Sequence, residues 1–415
     1  MISTQDRPLR PSTSHRIAIV SRRFWPISDP TAHFATDLGD FFAAKGNNVR
    51  LFTAAWQKTW PDHCSFREFD VRRLSRPASG PWGTFRYQRA LVRELEEYQP
   101  DAVLLFDCGD DLLPVRKAFG DSIPCAVRVD HRALARANRN AIKNLRLDLA
   151  DVLICDSLRT RNELVFRNVT LPSNVELVAD GVQVHESLER SLVQQSNSRT
   201  ALGDAHPILR IDPAQPLVVT GAPMDGDGGV IDLVRAWRIV LESFPRGKMW
   251  IIGDGPRSRK VWDTIADLDM IYTAIMPGYF DDMDEILNAA DLYVHPLRKA
   301  VNCRCMMQAI AAGVCPLVTS SSTEPFVKRD SLGRRIGELI EVQRDSTGII
   351  APEGNPTALG EAITMALRNS DLRSSLGSNA ATEFESAIDI NRIGNVFLNL
   401  LCGTSQLQDA SGAPS

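Results

Sequence analysis

The sequence predicts an α/β protein of two Rossmann-like, doubly wound domains facing each other across a cleft, and three observations carry that expectation. At 415 residues the chain exceeds what one ordinary hydrophobic core organises. Short runs rich in β-branched residues alternate with longer segments of helical periodicity, the pattern of a parallel sheet with helices on both faces. A polar stretch rich in Ser, Gln and Asn, from 186 to 214, divides the alternation into two series.

The first series opens with the strand RIAIVS at 16–21. A helix near 31–45 follows, in which Phe34, Leu38, Phe41 and Phe42 recur at helical spacing and Gly46 supplies the stop. Further strands are expected at 49–54, 101–106, 125–129, 151–156 and 175–179. Trp56, Trp60 and Trp82 flank a Pro- and Arg-rich segment, 57–90, that reads either as packing between strands or as an acceptor loop. The second series places strands at 216–221, 248–253, 272–278, 292–296, 315–320 and 347–352. Helices lie between them at 229–243, 256–268, 282–290 and 305–312, and the last helices fall near 356–368 and 389–401. The boundaries that follow are a disordered 1–15, a first domain 16–185, a linker 186–214 and a second domain 215–385. A C-terminal helix, 386–402, is expected to pack back on the first domain ahead of a disordered tail, 403–415.

Composition narrows the function classes. A net charge of −4 leaves no basic field of the kind nucleic acid requires, so no nucleic-acid partner is expected. The eight cysteines are scattered, several inside apolar runs, which reads as buried free thiols in a reducing compartment. Cys303 and Cys305 with His295 lack the paired C-x-x-C spacing of a zinc site, so no metal is expected. The first residues contain no apolar segment of signal-peptide length, and no run of about 18 apolar residues occurs, so a cytoplasmic location is expected. His33, His63, His185 and His206 have no partners at recognisable spacing and read as surface or capping residues.

Several motifs occur in order at ordinary spacing. Gly253-Asp254-Gly255-Pro256 follows a strand; MPGYFDD, NAADLYVHP, QAIAAGVCPLVTS and STGIIAPEGNPTALGEAI come after it, while AAKGNNVRLFT and NVELVADGVQV lie in the first domain. Taken together they resemble the retaining glycosyltransferases of family 4, or group 1, whose fold is GT-B. The resemblance implies a nucleotide-sugar donor held by the second domain and a glycan or lipid-linked acceptor held by the first, in polysaccharide or glycolipid assembly. It also implies no permanently bound cofactor and no metal. Breaking the glycosidic bond leaves a diphosphate, whose charge basic side chains and helix amino termini stabilise.

The residues that relatives use are replaced here. Ala222 and Gly228 stand near the family's diphosphate-binding Arg and Lys, and Asp225 and Asp227 add negative charge to that loop. The family's paired glutamates, eight positions apart, become Ala300 and Gln308. Gln308 keeps a hydrogen bond to a ribose hydroxyl but loses its charge assistance. Asp29-Pro30 occupies the place of a Gly-Gly loop, and Asp130, followed by His131, replaces the family's histidine. The resemblance therefore marks Gly221, Asp254, Gly255, Arg298, Lys299, Asn302, Arg304 and Gln308 as the nucleotide-sugar set, with Asp130 and His131 as the catalytic candidates. Arg298, Lys299 and Arg304 read either as a rewired phosphate clamp or as a solvated basic loop.

Arg132, Arg136, Arg139, Lys143 and Arg146 repeat at spacings of four and three, which confines them to one stripe of a helix with no acid between 132 and 147. This is an ordinary solvated face, or a surface for an anionic acceptor or for peripheral contact with an anionic inner-membrane surface. Three functions compete: a nucleotide-sugar-dependent glycosyltransferase, an inactive pseudo-glycosyltransferase serving as a binding or partner subunit, and another sugar-nucleotide enzyme of the same fold such as an epimerase.

Overall fold

A computed structural model describes residues 14–27, 30–74, 81–106, 109–130, 134, 145–184, 191–221, 224, 229–280, 282–296, 304–320 and 342–403. The chain divides into two compact units, one of residues 1–177 with 394–415 and one of residues 178–393.

The first unit runs β1 (Arg16–Ser21), α1 (Pro30–Ala44), β2 (Asn48–Ala54), β3 (His63–Phe66), β4 (Phe69–Leu74), α2 (Pro81–Tyr98), β5 (Ala102–Phe106) and α3 (Gly109–Phe119). It continues through β6 (Cys125–Val129), β7 (Val152–Cys155), α4 (Leu158–Phe166) and β8 (Val175–Leu177). Its sheet has the order β3-β4-β2-β1-β5-β6-β7-β8, parallel except for the β3–β4 pair. Central strands are buried on both faces, so β1 and β5 show no polar alternation. Ala18, Val20, Val103 and Leu105 face Tyr87, Leu91 and Leu95 of α2 and Leu112 and Val115 of α3. On the other face Phe34 of α1 meets Phe106 edge-to-face at 6.0 Å. α1 stops where Gly46, at φ +84°, turns the chain and donates to the carbonyl of Ala43.

Within the segment 57–90 the described residues form the β3–β4 hairpin and the first half of α2. Arg73 of β4, almost fully buried, donates to the carbonyls of Trp25 and Pro61. Its guanidinium lies over the rings of Trp25 and Trp60 at 5.9 and 5.8 Å. Arg73, Trp25 and Trp60 thus pack together at the edge of the sheet.

The second unit opens with α5 (Leu192–Ala205) and continues with β9 (Leu217–Gly221), α6 (Gly229–Ser243), β10 (Lys248–Ile252), α7 (Ser258–Asp267), β11 (Ala274–Gly278) and α8 (Asp284–Ala289). Then follow β12 (Leu292–His295), α9 (Arg304–Ala311), β13 (Pro316–Ser320), β14 (Ile349–Pro352), α10 (Pro356–Arg368), α11 (Ser370–Ile388) and α12 (Ile390–Cys402). Its all-parallel sheet has the order β11-β10-β9-β12-β13-β14. Met249 and Ile251 of β10 pack with Trp237 of α6, whereas Trp250 and Ile252 pack with Ile286 of α8 and Phe384 of α11. The period of two divides one strand between two helical layers.

The polar stretch expected as a linker contains α5. Its Arg199 is almost fully buried, pairs with Asp291 at 2.8 Å and donates to the carbonyls of Ala289, Pro213 and Gln215. From Gly394 onward α12 belongs to the first unit, where Phe397 packs edge-to-face on Phe34 at 5.6 Å. Among the described residues, no helix is long and apolar enough to cross a membrane.

Candidate functional site

The strand order of the second sheet reverses at β9: the chain proceeds to β10 and β11 on one side, then crosses to β12 on the other. Crossovers leaving in opposite directions open a crevice at the carboxyl ends of β9 and β12, where doubly wound sheets bind ligands. Gly221 ends β9 and His295 ends β12. The connecting segments 222–223, 225–228 and 297–303 lie outside the described residues, and with them Ala222, Asp225, Asp227, Gly228, Arg298, Lys299, Ala300 and Asn302.

Around this edge the packing is tight. The Tyr293 hydroxyl donates to the carbonyl of Gly221 at 3.1 Å, and the His295 ring stacks on Tyr293 at 6.4 Å. A Cβ on Gly221 would lie 2.7 Å from Cβ and Sγ of Cys305, so the glycine lets α9 rest on the end of β9. Gly255 has a comparable steric reason, because its Cβ would meet the carbonyl oxygen of Met224 at 2.4 Å. That carbonyl accepts the N–H of Arg257, which ties the loop after β9 to the turn after β10. Asp254 accepts from the Ser258 hydroxyl and from the N–H of Gly255, and these bonds hold its carboxyl below the ordinary carboxylate range. Asp254 thus orders the turn that begins α7.

Two of the sequence-derived residues sit on α9. Arg304, at its first position, is half-buried and donates to the carbonyl of Gly181 at 3.3 Å, so it is part of a packed corner of the second unit. Gln308, one turn on, is half-buried, and its side-chain amide makes no hydrogen bond among the described residues. It is therefore open to a polar ligand.

In the first unit the order reverses between β1 and β5. Asp130, just past β6, is buried, 3.3 Å from Nη1 of the fully buried Arg128, and accepts from the Thr31 hydroxyl at 3.3 Å. The Arg128 guanidinium lies over the Phe34 ring at 5.5 Å. His131, Asp29, Arg132, Arg136, Arg139 and Lys143 lie outside the described residues. Arg146, the member of the basic stripe that is described, is exposed and forms a bidentate pair with Asp148 at 3.0 and 2.9 Å. At the carboxyl end of β1 the sequence reading passed over Arg22, which binds the buried Asp111 through Nε and Nη2 and lies 3.7 Å from Asp110. Burial pushes the Asp110 carboxyl up. Charged residues directly after a strand, Arg22-Arg23, and at a helix start, Asp110-Asp111, were the available signal.

Burial pushes the thiols of Cys125, Cys155 and Cys315 up to about 12, so these are inert core residues. Among the described residues no group of three or more His, Cys, Asp or Glu is placed to hold a metal ion.

Residues 204–383 match the model of the family described as "Glycosyl transferases group 1". No curated protein matches the chain. Among solved structures, a sucrose-phosphate synthase from Thermosynechococcus elongatus superposes with a TM-score of 0.72 at 17% identity, over 96% of this chain and 100% of that one. Anabaena HepE in complex with UDP and glucose gives 0.67 at 13% identity, over 95% and 100% of the two chains. WaaG, a glycosyltransferase involved in lipopolysaccharide biosynthesis, gives 0.64 at 17% identity, over 93% and 100%. The two parallel-sheet units are those of the GT-B fold, the class that the sequence predicts.

Proposed function

We propose that this protein is a group 1 glycosyltransferase that takes a sugar from a nucleotide-sugar donor bound at the carboxyl edge of the second sheet and passes it to a glycan or lipid-linked acceptor. One observation carries the reading: the family match, residues 204–383, spans the sheet whose order reverses between β9 and β12 and both flanks of that reversal. Structural neighbours that hold UDP with glucose, or UDP-glucose, support a nucleotide sugar as the donor class. In this reading the bond from the anomeric carbon to the diphosphate oxygen breaks, and a bond to an acceptor oxygen forms with retention. The departing diphosphate gathers charge, which in this reading is met by Arg298, Lys299 and the amino end of α9. Gln308 binds the ribose hydroxyls, and Arg22, Asp110 and Asp111 line the acceptor side of the first sheet. No resident cofactor or metal is needed, and the reaction belongs to the cytoplasm.

A second reading, a pseudo-glycosyltransferase that binds without turnover, is favoured by Ala300 and Gln308 standing where relatives place glutamates. Calorimetric titration with UDP-, GDP- and ADP-sugars, followed by an assay of donor hydrolysis and transfer, separates the two. Binding with turnover supports the transferase; binding without turnover supports the second reading. No binding of any nucleotide sugar overturns both.

A further inference from the structure

We propose that α2 and α3 of the first unit form a docking surface for an anionic lipid bilayer. A groove of about 870 Å³ runs between these helices, floored by Val92, Leu113 and Pro114 and rimmed by Arg86, Arg89 and Lys117. The three rim cations are exposed and make no ion pair among the described residues. Arg93 also lines the groove but shares the carboxylate of Glu94 with Arg72, and Glu96 is the one acid on the lining. Asp110 and Asp111, at the start of α3, lie next to Arg22. The surface is therefore positive by more than its composition suggests.

Two large apolar side chains stand beside that charge. Trp82 and Phe85, one turn apart on α2, are 79% and 57% exposed. Exposed aromatic rings next to arginines are the makeup of a helix that lies in the bilayer interface, rings among the acyl boundary and cations at the lipid phosphates. The charge order of α2 points the same way. It carries no acid in its first turn, and Glu96 and Glu97 fall in its last, the reverse of what the helix dipole favours. This arrangement does not stabilise the helix, but it does give the amino-terminal half, with its rings, a positive surface. That half follows the carboxyl end of β4, so it lies on the edge of the sheet where the first unit's strand order reverses.

The proposal does not depend on catalysis, and its test does not read activity. The full chain is sedimented with vesicles of phosphatidylcholine, with and without one third phosphatidylglycerol, at low and high salt. Selective recovery with the anionic vesicles at low salt is expected. Arg86→Glu with Arg89→Glu and Lys117→Glu should lower the partition coefficient at least about tenfold, since each cation near an anionic surface contributes roughly a factor of five. Trp82→Ser with Phe85→Ser should weaken binding while leaving its salt dependence in place. Equal recovery with neutral vesicles overturns the proposal, as do α2 variants that bind like the parent or a parent retained on soluble polyphosphate but not on vesicles. Circular dichroism confirms that each variant is folded before its partition is compared.

Discussion

In the proposed donor site, Gln308 is the residue whose chemistry is most open to test. It sits half-buried on α9 with its amide uncommitted among the described residues, at the place where the resemblance to group 1 glycosyltransferases implies a ribose-binding glutamate. A neutral amide can still accept from a ribose hydroxyl, but a carboxylate forms a bond about twice as strong. In the proposed donor pocket, Gln308→Glu should tighten the binding of UDP-glucose or the preferred donor by about five- to tenfold, or roughly 1 to 1.4 kcal/mol, read by calorimetry. Gln308→Ala should loosen it by a similar factor. Equal affinities for all three forms would place the ribose elsewhere. Asp130 shows the opposite behaviour of a polar side chain: with Arg128 at 3.3 Å and Thr31 at 3.3 Å, its carboxylate is already engaged. Replacing Asp130 removes an anion beside a fully buried guanidinium, so loss of activity in such a variant has to be judged against loss of stability.

At the scale of elements, the strands were legible because parallel strands buried on both faces read as continuous apolar runs, as in AVLLF of β5 and KMWII of β10. The elements missed are those whose burial is achieved by other means. α5 looked like a linker because its sequence, LVQQSNSRTALGDA, has no apolar stripe; it is held instead by the buried guanidinium of Arg199. Arg199→Ala should therefore destabilise the second unit by about 3 kcal/mol in urea denaturation, toward the low end for a broken buried pair. The low end applies because Asp291 still accepts from the N–H of Leu217 at 2.7 Å and from Gln195 at 3.1 Å. α11 went unread because half of its buried face is small, Gly377, Ala380 and Ala381 beside Leu376, Phe384 and Ile388, and small residues give a weak hydrophobic signal. The β3–β4 hairpin was hidden by Arg72, which pairs with Glu94, and Arg73, which packs on Trp25 and Trp60. In the site, the glycine turn was legible and its reason was not: the clash at Gly255 involves Met224, which is thirty-one positions away in the chain. α2 also brings a pH dependence. Arg72, through its hydrogen bonds at 2.8 and 3.1 Å, and Arg93 hold the buried Glu94 carboxyl below the ordinary glutamate range. A group with a depressed folded pKa contributes stability that is present above the unfolded value and lost as pH falls through the folded one. Glu94→Gln should cost about 1 to 2 kcal/mol at pH 7. The gap between variant and parent should close as the pH is taken below about 4, measured by chemical denaturation across pH.

At the scale of the molecule, the decisive feature is that the first unit is discontinuous. Residues 394–415 belong with residues 1–177, so the chain leaves the first unit, builds all of the second, and returns. The return is a core event: Phe397 and Leu401 are fully buried, Phe397 lies 5.6 Å from Phe34, and a Cβ on Gly394 would sit 2.4 Å from the Phe41 ring. By contrast Ile390, at the start of the same helix, is bonded into the second unit through the carbonyl of Val182. A single helix therefore serves two cores. The first unit cannot be completed until α12, which follows the whole of the second unit in the chain, has been synthesised. A chain ending at Ile393 should keep the second unit and lose the first. Each large core residue removed costs about 3 to 5 kcal/mol, and a domain holds only about 5 to 15 in total. Hydrogen exchange locates the loss: amides of β1 and β5 should exchange near the unfolded rate in the truncated chain, while those of β9 and β12 remain protected. Phe397→Ala in the full-length chain should lower the protection of the same first-unit strands by about 3 to 5 kcal/mol without altering the second. Protection lost equally from both sheets would mean that the two units unfold as one cooperative body, and the assignment of α12 to the first unit's core would then fail.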